Sequence, residues 1–551
     1  MAGNSPLEKL SNEIFDNIFQ HITKASDLTS LCLVSQTIYH RSVPKLYHSW
    51  SYHGFTHSNK SLKFFLETVI RRPDLAGHVK VLDLREWGDC PKLEDYVEGG
   101  KYGGSTYLSD NDEDETDEEE GGGAETGESD SKVDENSNSD DFSVGPLGSE
   151  TIGHSLEKEI LKIEAEGLGV PNRNMLADYR TAVTENKEEI LVPLLLTYLS
   201  NLQTLYMVAP EGFTIGDGIL QKLETLYICS ALHLGIKVHR EYHLEYETLL
   251  PFLALPNLRS VYTLTPYTYT YTQFDSYFYP LNAKPGTSNI TFLAWDESQI
   301  ALDDALKAIL IPKSLEGLRW TEDISGCWNP FFCHGPFHHL IGKALSAHKD
   351  SLKMLDLDIR HRYCNGEGHP GNPNTTHEAL LRLHPNAKER RTPKDGILIG
   401  SLKEFSKLTA LSIDATALCG HPKWAPAPVR MIEALPPNLE TLNLRVNIQI
   451  QKLAQGESLY EFENVMWKGH VFDFIDRVKD ELPSFRKLEI WIIGIYLEKE
   501  KATDLIVALT EDISTKCKQA GIRFGAFTAS WGTQVPYFQE RNSMRNPGRD
   551  F

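Results

Sequence analysis

One short phrase recurs along this chain and limits its fold more than any other feature. It reads apolar, two residues, apolar, one residue, apolar. Copies start at Val79, Leu202, Leu223, Leu258, Ile290, Leu315, Leu352, Leu408, Leu439 and Phe485, ten in all. Several are introduced by related words: "LSNLQTLYM", "LPNLRSVYT", "LPPNLETLNL". The closing apolar pair flanks a single residue, which is the period of two of a β-strand with one buried face. A unit this short cannot enclose its own apolar face, so stability requires stacking on identical neighbours. Units that run in the same direction bring their strands together in parallel, with a crossover behind each one.

From Leu202 onward, successive starts are separated by 21, 35, 32, 25, 37, 56, 31 and 46 residues. A regular array would hold near ~20–29, so the crossovers are unequal in length and carry insertions. The phrase resembles the strand of a leucine-rich repeat. Over residues 78–527 the region is similar to the irregular arrays that follow F-boxes in many fungal proteins. The competing reading is a generic α/β domain with leucine in its strands. Amphipathic stretches at Thr151–Glu166, Met175–Leu199 and Thr503–Ala520 read as helical backs, and Ile522–Phe524 as a closing strand.

The first fifty residues carry a different period. Leu10, Ile14, Ile18 and Ile22 recur every four residues with Phe15 and Phe19 beside them, which makes an apolar helical stripe. Ser11 is placed to cap that helix. A second helix is expected after Ser26, with Leu28, Leu31, Val34, Ile38 and Tyr39 inward. Val43-Pro44 then opens a third short turn bearing Leu46, Tyr47 and Trp50. So small a bundle leaves apolar residues for a partner, or for the rest of the chain.

The string "LSNEIFDNIFQHITKASDLTSLCLVSQTIYHRSVPKLYHSW" resembles an F-box. The likeness runs through Leu10, Glu13-Ile14-Phe15, Ile18, Asp27-Leu28, Leu31, Val34-Ser35, Leu46-Tyr47 and Trp50, about a tenth of the chain. Ser11 stands where the family usually has proline, Ser35 where cysteine is common, and Gln36 where a basic residue is frequent. The resemblance implies docking on the Skp adaptor of SCF-type ubiquitin ligases, and through it on a cullin. Leu10, Ile14, Phe15, Ile18, Leu28, Leu31, Val34, Leu46 and Tyr47 would carry the contact.

Net charge is −22, from 77 acidic and 55 basic residues. Ser109–Asp141 alone holds 16 acidic residues against Lys132, a charge of −15, which leaves −7 for all the rest. With Val133 as its only aliphatic residue larger than alanine, that stretch cannot bury enough apolar surface to offset its ordering entropy. Residues 99–148 therefore read as a disordered acidic insertion. It is a solvated loop insertion or, on the sharper reading, a docking tail for a basic partner or a phosphorylated segment.

These readings make an α/β chain: an F-box at 1–50, a linker and first repeat strand at 51–98, the insertion at 99–148, a leucine-rich-repeat-like solenoid at 149–530 and a tail at 531–551. Strand parity sets one outward row on the concave face: Asp83, Tyr206, Tyr227, Tyr262, Ala294, Arg319, Asp356, Ser412, Asn443 and Glu489. Two residues on runs a second: Arg85, Val208, Cys229, Leu264, Asp296, Thr321, Asp358, Asp414, Arg445 and Trp491. Tyr206, Tyr227, Tyr262, Arg319, Asp356 and Trp491 are the expected substrate contacts, because tyrosines supply rigid area with a polar tip. The tyrosines could instead pack on one another. The segment Thr263–Tyr279 adds Tyr267, Tyr269, Tyr271, Tyr277 and Tyr279.

Catalytic signals are sparse. Cys327, Cys333, His334, His338 and His339 are metal-ligand types without the spacing of a known zinc site. His361, Cys364, His369 and His377 scatter more loosely, and no GxSxG or HExxH occurs. Cys364 or Cys517 would need an activating base to act as a nucleophile. Eight cysteines, no run near ~18 apolar residues and an acidic N-terminus point to a reduced, cytoplasmic or nuclear compartment, with no membrane or nucleic-acid partner. No cofactor is implied. The expectation is a non-catalytic receptor that holds a protein target near ubiquitin-transfer machinery; the alternative is a repeat scaffold that binds partners without transfer.

Overall fold

The computed structural model describes residues 10–53, 59–86, 188–209, 218–230, 244–264, 266–267, 284–298, 300, 302–322, 338–359, 398–420, 429–447, 459–493 and 510–529. The acidic insertion, the 151–166 helix, Tyr269–Tyr279, Cys327–His334, His361–His377 and the 531–551 tail lie outside them.

Twelve parallel strands form one sheet whose order in space is their order in sequence. They are β1 (Ser49–His53), β2 (Val81–Glu86), β3 (Thr204–Ala209), β4 (Thr225–Ser230), β5 (Ser260–Leu264), β6 (Phe292–Ser298), β7 (Gly317–Glu322), β8 (Met354–Asp358), β9 (Ala410–Asp414), β10 (Thr441–Asn447), β11 (Lys487–Ile493) and β12 (Arg523–Ala529). An order without reversals is the topology of stacked repeats rather than of a doubly wound sheet. Ten of these strands are the ten phrases, and the closing strand at 522–524 extends to Ala529. Sequence reading missed β1. Trp50, counted there with the head, belongs to the array: it stacks on Phe65 at 3.9 Å and pairs in register with Leu82.

The register explains why the phrase repeats. Its middle apolar position forms one row across the sheet, Leu82, Leu205, Leu226, Val261, Leu293, Leu318, Leu355, Leu411, Leu442 and Leu488. Every member is fully buried. Each such side chain contributes about 1.5–3 kcal/mol by leaving water. All join a single apolar core with crossover helices such as Glu188–Tyr198, Leu302–Leu310, His338–Leu345 and Leu459–Glu481.

The residue introducing the phrase has its own task. Asn201, Asn257, Asn289 and Asn438 each donate Nδ2 to a carbonyl of the preceding unit: Gly77 at 2.9 Å, Gln221 at 2.7 Å, Pro256 at 2.6 Å and Ser406 at 2.7 Å. Ser351 does the same to Leu315 at 2.8 Å. A turn without regular ladder bonds leaves carbonyls to be satisfied, and a side-chain amide one unit later reaches them. Behind the strands, His348 is buried as a neutral imidazole. Its Nδ1 accepts from Leu315 N–H at 3.3 Å, so Nε2 carries the proton to the Ile309 carbonyl at 2.7 Å. Burial holds its pKa below the ordinary histidine value.

Three helices precede the sheet: α1 (Asn12–Gln20), α2 (Ala25–Cys32) and α3 (Gln36–Leu46). Ser11 caps α1 through Ile14 N–H, as its position in the sequence suggests. The other two boundaries differ from expectation. The second helix ends at Cys32 and a new one starts at Ser35, whose hydroxyl accepts from Ile38 N–H at 3.3 Å. That helix runs through Pro44 rather than starting there. Proline sits two residues from the helix end, so one backbone N–H of the last turn is missing.

Candidate interaction surfaces

The head has a small core of its own, separate from that of the array: Phe15, Phe19, Leu28 and Ile38, with Leu10, Ile22, Leu31 and Leu46 packed against it. Phe15 and Phe19 stack at 4.5 Å, and the Arg41 guanidinium lies over the Phe15 ring. Among the nine residues expected to touch an adaptor, Phe15 and Leu28 are therefore core. Leu10, Leu31 and Leu46 line that core, and Tyr47 packs on the array. Ile14, Ile18 and Val34 are 50%, 40% and 55% exposed, joined by Leu33 at 83%. The correction is one of helical phase. Phe15 and Phe19 face inward, and the residues one position earlier face out. Leu33, which the sequence reading overlooked, lies in the break between α2 and α3, where no periodicity applies.

The face of the sheet opposite the core divides in two. Tyr206, Tyr227 and Tyr262 occupy one register row on β3, β4 and β5. Their rings stack at 4.4 Å with interplanar angles of 12° and 6°, and Phe292 follows at 5.1 Å. All three are half-buried. Strand spacing of ~4.8 Å brings in-register rings to stacking distance, so the two readings of these tyrosines coexist: they pack on each other and keep an edge outward.

The later half is a lattice of charge. Arg319 on β7 lies between Asp296 on β6 (Nε–Oδ1 2.9 Å) and Asp356 on β8 (3.7 Å). The 2.9 Å contact lies off the N–H direction and is an ion pair rather than a hydrogen bond. From β10, Arg445 reaches across β9 to Asp356 Oδ1 at 2.5 Å, the Leu357 carbonyl at 2.8 Å and Asp358 at 3.6 Å. Ser412 on the intervening strand is small enough to be passed over. Thr321 adds a hydrogen bond to Asp296. Burial pushes the Asp414 carboxyl above its ordinary value, against hydrogen bonds from the Thr416 amide and hydroxyl.

Arg319, Asp356 and Trp491 thus stand in the rows where strand parity puts them, but they are 4%, 1% and 8% exposed. They are buried members of the lattice and its aromatic end rather than presented contacts. Sequence parity assigns a residue to a face and carries no information on how far a neighbouring arginine reaches across that face. Trp491 stacks on Phe527 at 4.5 Å at the last two strands.

Cys419 and Cys517 are buried, and burial pushes both thiols up to about 12. Among the described residues no group of three or more His, Cys, Asp or Glu is placed to hold a metal ion. No helix among them is long and apolar enough to cross a membrane. No protein-family model matches the chain, and no curated protein does.

Proposed function

We propose that this chain is the substrate-recruiting subunit of an SCF-type ubiquitin ligase. Its head docks the Skp adaptor, and through it a cullin, while the array holds a protein target. One observation carries the reading: Ile14, Ile18, Leu33 and Val34 lie exposed on a head whose core closes without them. Exposed aliphatic side chains on a small helical unit beside a self-sufficient core favour a protein partner. They belong to the segment that resembles an F-box. The receptor does no bond chemistry; it raises the effective concentration of target lysines near the transfer machinery. Such work suits the cytoplasm or nucleus.

The test is retention of purified Skp adaptor by the full chain against an Ile14→Glu, Ile18→Glu variant. Loss of retention with unchanged circular dichroism is the expected result; equal retention overturns the reading. Phe15→Asp serves as comparison, because it loses adaptor by unfolding the head. Target capture is read separately with Tyr206→Ala, Tyr227→Ala and Tyr262→Ala, which leave adaptor retention intact. A chain that retains adaptor but recovers no cullin is instead a scaffold that binds partners without ubiquitin transfer.

A further inference from the structure

Charges on the outer face of the later strands alternate in sign along one path and then stop alternating. The path runs Asp296, Arg319, Asp356, Arg445, Asp358, with successive contacts of 2.9, 3.7, 2.5 and 3.6 Å. The next member is Asp414, a second carboxyl beside the first. Leu357 pairs with Ile413 in the ladder of β8 and β9, so the following position sets Asp358 next to Asp414. Strand parity points both side chains to the outer face, at a strand spacing of ~4.8 Å. Asp358 is buried and Asp414 half-buried.

Each element packed on this pair contributes a known group. From β10, Arg445 is the register partner of Asp414 and lies 3.6 Å from Asp358, and it also serves Asp356. From β7, Thr321 is the register partner of Asp358, and its hydroxyl bonds Asp296. The Ala415–Cys419 helix that leaves β9 gives Asp414 Oδ1 the Thr416 amide at 2.7 Å and hydroxyl at 2.5 Å. The Cys419 thiol of that helix is pushed up to about 12. Beside it, Glu433 on the Met431–Ala434 helix is exposed, with Arg430 at 3.9 Å. Among the described residues, the outer face of β6 to β10 thus carries four carboxyls, Asp296, Asp356, Asp358 and Asp414, and two guanidiniums. Arg319 and Arg445 are already shared among the first three. A fourth carboxylate directly across from a like charge is costly when both are ionised. Adjacent carboxyls escape that cost by keeping one proton between them.

We propose that Asp358 and Asp414 share one proton at neutral pH, and that its release to solvent as pH rises loosens β8, β9 and β10. The array thereby holds a pH-sensitive joint in its later half, whatever the array binds. Burial acts in the same sense: it raises the Asp414 carboxyl against the Thr416 bonds, and the Asp358 charge adds to the rise. In an opened stretch Asp414 returns to an ordinary value of ~3.9 and is ionised above it. The folded stretch holds one proton more until its own, higher value is passed. Across that window each pH unit favours opening by about tenfold, and above it the effect is constant.

The test compares the full chain with Asp414→Asn, whose carboxamide keeps an acceptor for Thr416 and supplies a permanent N–H donor to Asp358. Amide hydrogen exchange of peptides covering β8 to β10 is followed from about pH 5 to about pH 9 and corrected for intrinsic exchange. The ratio of opening, wild type over variant, should climb about tenfold per pH unit and then level off. Taking the ratio cancels His348 and the other titrating groups that both proteins share. Infrared difference spectra in D2O read the proton itself: wild type at neutral pH should show the carbonyl stretch of an un-ionised carboxylic acid that Asp414→Asn lacks. Thr416→Val keeps the Asp414 carboxyl and removes one bond to its ionised form, so the band should persist to higher pH. That arm stands even where Asp414→Asn does not fold. A ratio flat with pH, no carboxylic acid band at neutral pH, or a band that Thr416→Val leaves unmoved would each overturn the proposal.

Discussion

Arg445 is the residue whose loss should be felt most across the outer face of the sheet. It is almost wholly buried, bonded to the Leu357 carbonyl and Asp356, and close to Asp358. Methionine at this position keeps much of the volume and removes the charge. Asp356 is then left with Arg319 at 3.7 Å, and Asp358 loses the guanidinium beside it. Removing one partner of a buried ion pair costs about 3–5 kcal/mol, because the other charge stays desolvated. At about 1.4 kcal/mol per factor of ten, even the lower figure is an acceleration of about 150-fold in local opening. The readout is amide hydrogen exchange, by mass spectrometry, of peptides covering β8, β9 and β10. Strands β2 and β3 serve as the internal control, since stacked repeats transmit stability mainly to neighbours. Adding Asp356→Leu to Arg445→Met removes the stranded carboxylate, while Arg319 keeps Asp296 at 2.9 Å. The double variant should therefore be less destabilised than the sum of the singles by about 2 kcal/mol or more, within the range for residues in direct contact. Acceleration below tenfold in Arg445→Met, or simple additivity in the double variant, would refute a lattice in which Arg445 compensates two buried carboxylates.

Gly342 in the His338–Leu345 helix lies against the Ile399 backbone, and an added Cβ would overlap the Ile399 carbonyl oxygen. Gly342→Ala should lower stability by about 1–3 kcal/mol or more in urea unfolding, despite alanine's better helix propensity. His348 is neutral in the fold and its pKa is lowered by burial, so between its folded value and about 6.5 the unfolded chain binds the extra proton. Its contribution is complete above about pH 6.5 and is lost as pH falls through that window. His348→Gln, which can keep both hydrogen bonds, should flatten that part of a melting-temperature profile against pH. Asn257→Ala and Asn289→Ala should each cost about 0.5–1.5 kcal/mol through the orphaned Gln221 and Pro256 carbonyls, seen as faster exchange at the turn of the preceding unit.

Much of the array was legible because its information is periodic. Ten phrases foretold ten strands, their parallel sense and the row in which Tyr206, Tyr227 and Tyr262 stand, since parity is a property of the backbone. Asn201, Asn257 and Asn438 were visible as a repeated word whose meaning is a bond to the unit before, which no single repeat discloses; Asn289 makes the same bond outside that word. Strand β1 was missed because Ser49–His53 lacks the phrase and borrows its pairing from β2. In the head, an i, i+4 stripe is two residues wide, so Ile14 and Phe15 read alike in sequence. Only the positions of α2 and α3 made Phe15 core and left Ile14 outside.

Sequence alone determined which residues share a face, because side-chain direction along a strand or helix follows from local geometry. It determined too that the −15 of Ser109–Asp141 stands apart from a mildly acidic remainder. Tertiary structure decided what each face became. Arg445 crosses a whole strand to reach Asp356, which turns an acidic row that looked open to a partner into a buried lattice of paired charge. Reach across strands, and the burial that follows from it, are relations between distant parts of the chain; they exist only once the repeats have stacked.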